Sequence, residues 1–222
     1  MREVWIVVDG EVNAAGELVA ASPATAKMVA ALQKAIAQSP ASIKILGKND
    51  LNSLKLPKDV VFCPLSLGLP SNFDFPQQAI FKACQNVEFF RYLISQKFGY
   101  ITRLGNFWLP VVLTQKGPVY AEAIGLQQEL NYYQPVHFSD KMRQQIYQMG
   151  YNILKFLNAS SATYLIQFGF IDKEIWFDRV LPFPAAPAIA SINTQTPDLF
   201  TCHWYCLTNQ PIIDITIAGF RD

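Results

Sequence analysis

The sequence predicts an α/β protein: an N-terminal α/β lobe with a mostly parallel sheet, residues 1–72, followed by an α+β lobe, residues 73–222, packed as one unit. Three observations predict it. The first lobe reads strand, helix, strand, strand in its apolar runs, the order that lays down a parallel sheet. The second reads helix, hairpin, helix, hairpin. The chain has 222 residues, 51% hydrophobic and only 16% charged, which suits one large core better than two average domains.

Met1-Arg2-Glu3-Val4-Trp5-Ile6-Val7-Val8, closed by Asp9-Gly10, is the first strand. Ser22-Pro23 is an N-cap followed by proline at the first helical position, and Met28, Val29, Leu32 and Ile36 recur at helical spacing behind it. Residues 42–47 and 60–65 are short apolar runs of buried-strand type. Asp74 is the expected cap of one long helix carrying Ile80, Cys84, Val87, Phe90 and Ile94, with Gly99 as its stop. Residues 107–113 and 118–124 flank Thr114-Gln115-Lys116-Gly117 and predict a hairpin. Ser139 caps a core helix presenting Met142, Ile146, Met149, Ile153 and Leu157, and residues 164–170 and 174–180 predict a second hairpin. Beyond it Pro182, Pro184, Pro187 and Pro197 forbid a long helix, and from Val180 to Gln210 Asp198 is the only charged residue. Such a segment is either hidden core or a surface that a partner covers.

Eighteen basic against 17 acidic residues leave a formal charge of +1, which excludes nucleic acid as an expected partner because no basic excess is available for a phosphate backbone. No run approaches the roughly 18 apolar residues of a membrane span, so no membrane association is expected. Four cysteines in apolar surroundings and no cleavable leader predict a cytoplasmic protein. Cys202-His203-Trp204-Tyr205-Cys206 has the right atoms for zinc but too few of them. The only other histidine, His137, has no neighbouring cysteine pair, and the segment reads as buried aromatic core. Neither a G-x-x-x-x-G-K-[ST] loop nor a G-x-G-x-x-G fingerprint is present. Glu122, Glu174 and Asp178 are acidic residues in or beside strands, placed either to serve a metal or an acid–base step or simply to face water.

One resemblance joins these elements. A helix ending near Gly99 leads into the proline-led strand Leu109-Pro110-Val111-Val112-Leu113; a core helix follows, and the last hairpin runs into Leu181-Pro182-Phe183-Pro184. In this order the chain resembles the ATP-grasp superfamily of carboxylate–amine ligases, whose paired strands end in a Glu-x-Asn-Pro-Arg element that holds magnesium between carboxylates and nucleotide phosphates. The resemblance implies ATP and magnesium as ligands. It puts Asp178 in the place of that Glu, Gln167 near the other acidic ligand, and Lys116 and Glu122 at the nucleotide. Pro197-Asp198-Leu199-Phe200 resembles the short helix that follows.

The departures bear on activity. Thr114 stands where the family strand ends in an ATP-contacting lysine, Asn86-Val87 where an Asn/Asp-Lys pair is common, and Arg179-Val180 after Asp178 leaves out the metal-binding Asn. The 25 or so residues between Val112 and His137 are too few for the lid that covers the nucleotide, which makes the second lobe a lid-less ATP-grasp core. Two readings follow from the resemblance. The favoured one is a relative without ligase activity that acts as a binding or scaffold protein. It would meet a protein partner or its own copies through the uncharged stretch, with Phe200, Trp204 and Tyr205 as interface residues. The other is a small ATP-dependent ligase-like enzyme with Lys116 near phosphates and Asp178 near a metal. An unrelated α/β protein is the remaining alternative.

Overall fold

A computed structural model describes residues 2–127, 131–172 and 174–217. The first lobe is built on β1 (Arg2–Val8), whose residues Val4 to Val8 are all buried. A short hairpin of β2 (Gly10–Val12) and β3 (Leu18–Ala21) follows, unannounced by the sequence because strands of three and four residues are too short to show alternation. Next come α1 (Pro23–Ile36), β4 (Ala41–Gly47) and β5 (Val60–Pro64), and the three longer strands form a parallel sheet in the order β4-β1-β5. The Ser22 hydroxyl accepts the Thr25 N–H at 3.0 Å and Pro23 opens α1, as the sequence requires.

The single long helix expected from Asp74 to Gly99 is two helices, α2 (Gln78–Gln85) and α3 (Val87–Phe98). Asn86 breaks the run at ψ 76° and caps α3 by accepting the Phe89 N–H at 3.2 Å, whereas α2 begins without a side-chain cap and Asp74 plays no part in it. Gly99 ends α3 in the left-handed region at φ 70°, as expected.

β6 (Phe107–Thr114) turns back into β7 (Gly117–Tyr120), but the return strand breaks at Ala121-Glu122 and resumes as β8 (Ala123–Leu126), lying along the other end of β6. An unpredicted strand, β9 (Tyr132–Val136), pairs with β8. α4 (Asp140–Phe156), capped by Ser139, and the hairpin of β10 (Ala162–Ile171) and β11 (Glu174–Leu181) follow the sequence reading. These strands make an antiparallel sheet ordered β11-β10-β6-β8-β9, with β7 beside β6.

The two faces of this sheet decide where everything else goes. Leu109, Val111, Ile166 and Phe168 point to the face covered by α2, α3 and α4, while their alternates Trp108, Val112 and Leu165 point to the other. That second face receives a 3-10 turn (Ala186–Ser191) and α5 (Leu199–Thr208), which also pack on α1, so the first lobe and the second lobe share one core. The uncharged stretch is therefore largely core. Phe200 and Trp204, expected at an interface, are 0% and 1% exposed within the chain itself, and only Tyr205 reaches the surface, bonding Gln38 Oε1 at 3.2 Å. Among the described residues no helix is long and apolar enough to cross a membrane.

Candidate functional site

The β10–β11 hairpin carries two of the residues singled out in the sequence, and its register determines their fate. Ile166 faces Val180 and Gln167 faces Arg179, but Phe168 faces Phe177, so Asp178 is the extra residue of a β-bulge. A bulge breaks strand alternation and redirects a side chain. Asp178 is turned to the sheet edge, where residues 101–103 run beside β11 through Phe177 N–H to Ile101 at 2.9 Å and Arg103 N–H to Phe177 at 3.0 Å.

There the Asp178 carboxylate, 0% exposed, is fully engaged. Oδ1 meets the Arg91 guanidinium from α3 and Arg179 Nε at 3.1 Å; Oδ2 accepts the Gly105 N–H at 2.8 Å. Arg91 also donates Nε to the Asp178 carbonyl at 3.1 Å and Nη1 to Glu88 at 2.7 Å. A buried carboxylate with three donors is the arrangement that offsets its loss of water. Arg91, 87 residues away in sequence, gave no local signal of this partnership.

Gln167 lies on the opposite side of its strand from Ile166, on the face turned to the first lobe, and donates Nε2 to the Gly105 carbonyl at 2.5 Å. Residues 103–106 cross that face as a strap on their way to β6. Only glycine fits at 105, because a Cβ would collide with the Phe168 carbonyl. Beside the strap, Trp176 covers Gly169, donates Nε1 to the Leu104 carbonyl at 2.9 Å and carries the Arg103 guanidinium 5.6 Å above its ring.

Magnesium does not fit this arrangement. It requires hard, preferably anionic, oxygens. Both Asp178 oxygens are already taken by cationic or N–H donors, Gln167 is neutral, and its cross-strand neighbour is Arg179. Among the described residues no group of three or more His, Cys, Asp or Glu is placed to hold a metal ion. In this arrangement Asp178 ties α3 and the 103–106 strap to β11.

The nucleotide candidates are dispersed as well. Lys116 is exposed at the β6–β7 turn, beside a hollow of about 160 Å³ shared with Tyr205 and Asn209 at the end of α5. Gln167 pairs at Trp108, six residues back along β6 from Thr114, which separates them by about 20 Å at strand rise. Glu122 sits in the break between β7 and β8. Its carbonyl accepts Gln134 Nε2 at 2.8 Å. Gln167 and Asp178 meet at Gly105, whereas Lys116 lies towards the other end of β6 and Glu122 in the break between β7 and β8.

The cysteine–histidine segment forms the buried face of α5. His203 Nδ1 accepts the Thr163 N–H at 3.1 Å, and burial pushes its pKa down to about 3, leaving a neutral imidazole that ties α5 to β10. Burial raises the thiols of Cys202 and Cys206, the latter to about 12, so neither is a thiolate for zinc or for nucleophilic attack.

No family model and no curated protein matches this sequence. Solved structures do match by fold. N5-carboxyaminoimidazole synthetase from Staphylococcus aureus complexed with ADP superposes with a TM-score of 0.73 at 9% identity, over 97% of this chain and 80% of that one. Glycinamide-RNase-transformylase T from Mycobacterium tuberculosis gives 0.71 at 13% identity, over 96% and 82%. L-amino acid ligase from Bacillus licheniformis gives 0.66 at 8%, over 95% and 76%.

Proposed function

We propose, on the premise that the chain has an ATP-grasp-like fold, that it is a binding or scaffold protein that does not carry out ATP-dependent ligation. The observation that carries this reading is the engagement of Asp178 by Arg91, Arg179 and Gly105, which leaves an amide and a guanidinium where a magnesium site would need carboxylates. Phosphoryl transfer relies on metal ions to neutralise charge developing on the phosphates. A reactive acyl phosphate would also need protection from water, and the short 113–136 connection is spent on β7, β8 and β9 in its described part rather than on a cover.

Binding of ATP alone is compatible with the fold, since the Staphylococcus aureus neighbour is complexed with ADP. The test is therefore twofold: melting temperature with ATP in the presence and absence of magnesium, and ADP release with amino acids and carboxylates as acceptors. The proposal expects no magnesium-dependent rise and no ADP. Saturation at a hundred times Kd would add about 2.7 kcal/mol, on the order of 5–10 °C in Tm, and a magnesium-dependent rise of that size with turnover would establish the ligase reading instead.

A further inference from the structure

We propose that the free edge of β5 is a docking site for one extended, centrally uncharged peptide segment of a partner protein, which adds to the first-lobe sheet as a fourth parallel-sheet neighbour or an antiparallel one. Among the described residues the β4-β1-β5 order leaves β5 at the edge with no strand on its outer side. Its register follows from one bond: Leu65 N–H donates to the Val7 carbonyl at 2.8 Å, so odd-numbered residues face β1 and Val60, Phe62 and Pro64 face away. The Val60 N–H is taken locally by the Pro57 carbonyl at 3.3 Å, and Pro64 has none. What remains on the edge is the Phe62 N–H and the carbonyls of Val60, Phe62 and Pro64. One added strand satisfies all four, and such an edge is a template for strand addition.

The surroundings select the occupant. A groove of about 360 Å³ runs along this edge, with Val60, Phe62 and Phe75 on the first-lobe side and Ser160, Ser161 and Leu207 on the other. No described residue lining it is charged. An ionic side chain entering it would lose water without gaining a partner, whereas apolar or small side chains lose nothing. The groove widens at its lower end beside Arg2, Lys58 and Asp59, so charge in the segment is tolerated only past its centre. The second lobe walls the far side with Ser160, Ser161 and the end of α5. None of the residues lining the groove is among those that hold Asp178.

The experiment uses the full chain and a displayed library of random linear peptides. Enriched sequences are then synthesised and titrated into isotope-labelled protein while amide exchange is followed. The proposal expects enriched peptides with uncharged centres that slow exchange of the Phe62 amide. Ser161→Arg, at the groove wall, is expected to weaken them at least about tenfold. Tyr92→Ala, on the exposed side of α3, is expected to leave their affinity unchanged, and thermal melts check that both variants fold. Absence of enriched peptides, enrichment of peptides that leave the Phe62 amide unprotected, or self-association through β5 that Ser161→Arg abolishes would each overturn it.

Discussion

Asp178 is a buried carboxylate held by partners from α3, the 103–106 strap and its own strand. Its carboxylate is sealed between Arg91 and the Gly105 N–H, while Arg179, with a side chain 34% exposed, shares it from the surface. Removing the buried charge leaves Arg91, whose side chain is only 12% exposed, with the exposed Glu88 as its one remaining ionic partner among the described residues, so Asp178→Asn should cost about 3 kcal/mol in urea denaturation. Arg179→Ala, screened by water, should cost about 1 kcal/mol or less. His203 gives a pH dependence of definite sign. Its folded pKa lies near 3, below the ordinary 6.5, so the unfolded chain takes up a proton that the folded chain refuses. Its share of stability is present above pH 6.5 and is lost as pH falls towards 3. The loss between pH 7 and pH 5 should be about 2 kcal/mol, and His203→Gln should flatten the denaturation profile over that range by a similar amount.

Among the elements, those with purely local signals were legible in the sequence. Ser22-Pro23, Ser139 and Gly99 mark helix ends because capping is satisfied within four residues, and the strands of the last hairpin show because their apolar runs are long. Hidden features depend on pairing partners. The β10–β11 bulge exists only relative to its opposite strand, β9 contains a proline and five residues, and the break at Asn86 interrupts an apolar repeat that continues across it in the sequence. For the same reason the sequence does not show that Asp178 and Gln167 share Gly105 as a partner, one accepting its N–H and the other donating to its carbonyl. The 103–106 strap belongs to this scale too. Gly105→Ala would force it off the Phe168 carbonyl, at about 1–3 kcal/mol, with a change in tryptophan fluorescence as Trp176 loses the Leu104 carbonyl.

Across the whole molecule, the low charge of the chain has a structural cause. Residues from Phe183 to Cys206 fill the space between α1 and the large sheet, and Phe200 and Trp204 lie in the core that both lobes share. The lobes should therefore unfold together, with the calorimetric enthalpy equal to the van't Hoff enthalpy; two resolved transitions would mean the shared core is not holding them as one unit. On the reading proposed above, the same packing leaves the ATP-grasp-like fold standing while Asp178 and Gln167 serve only as structural contacts. Paramagnetic line broadening with ATP and manganese bears on that most directly, because a bound ion broadens the amides around it selectively. Amides of Gln167, Asp178 and Arg179 are expected to broaden no more than those of the distant α1. Selective broadening of the three, reversed by magnesium, would contradict the absence of a metal site on this hairpin.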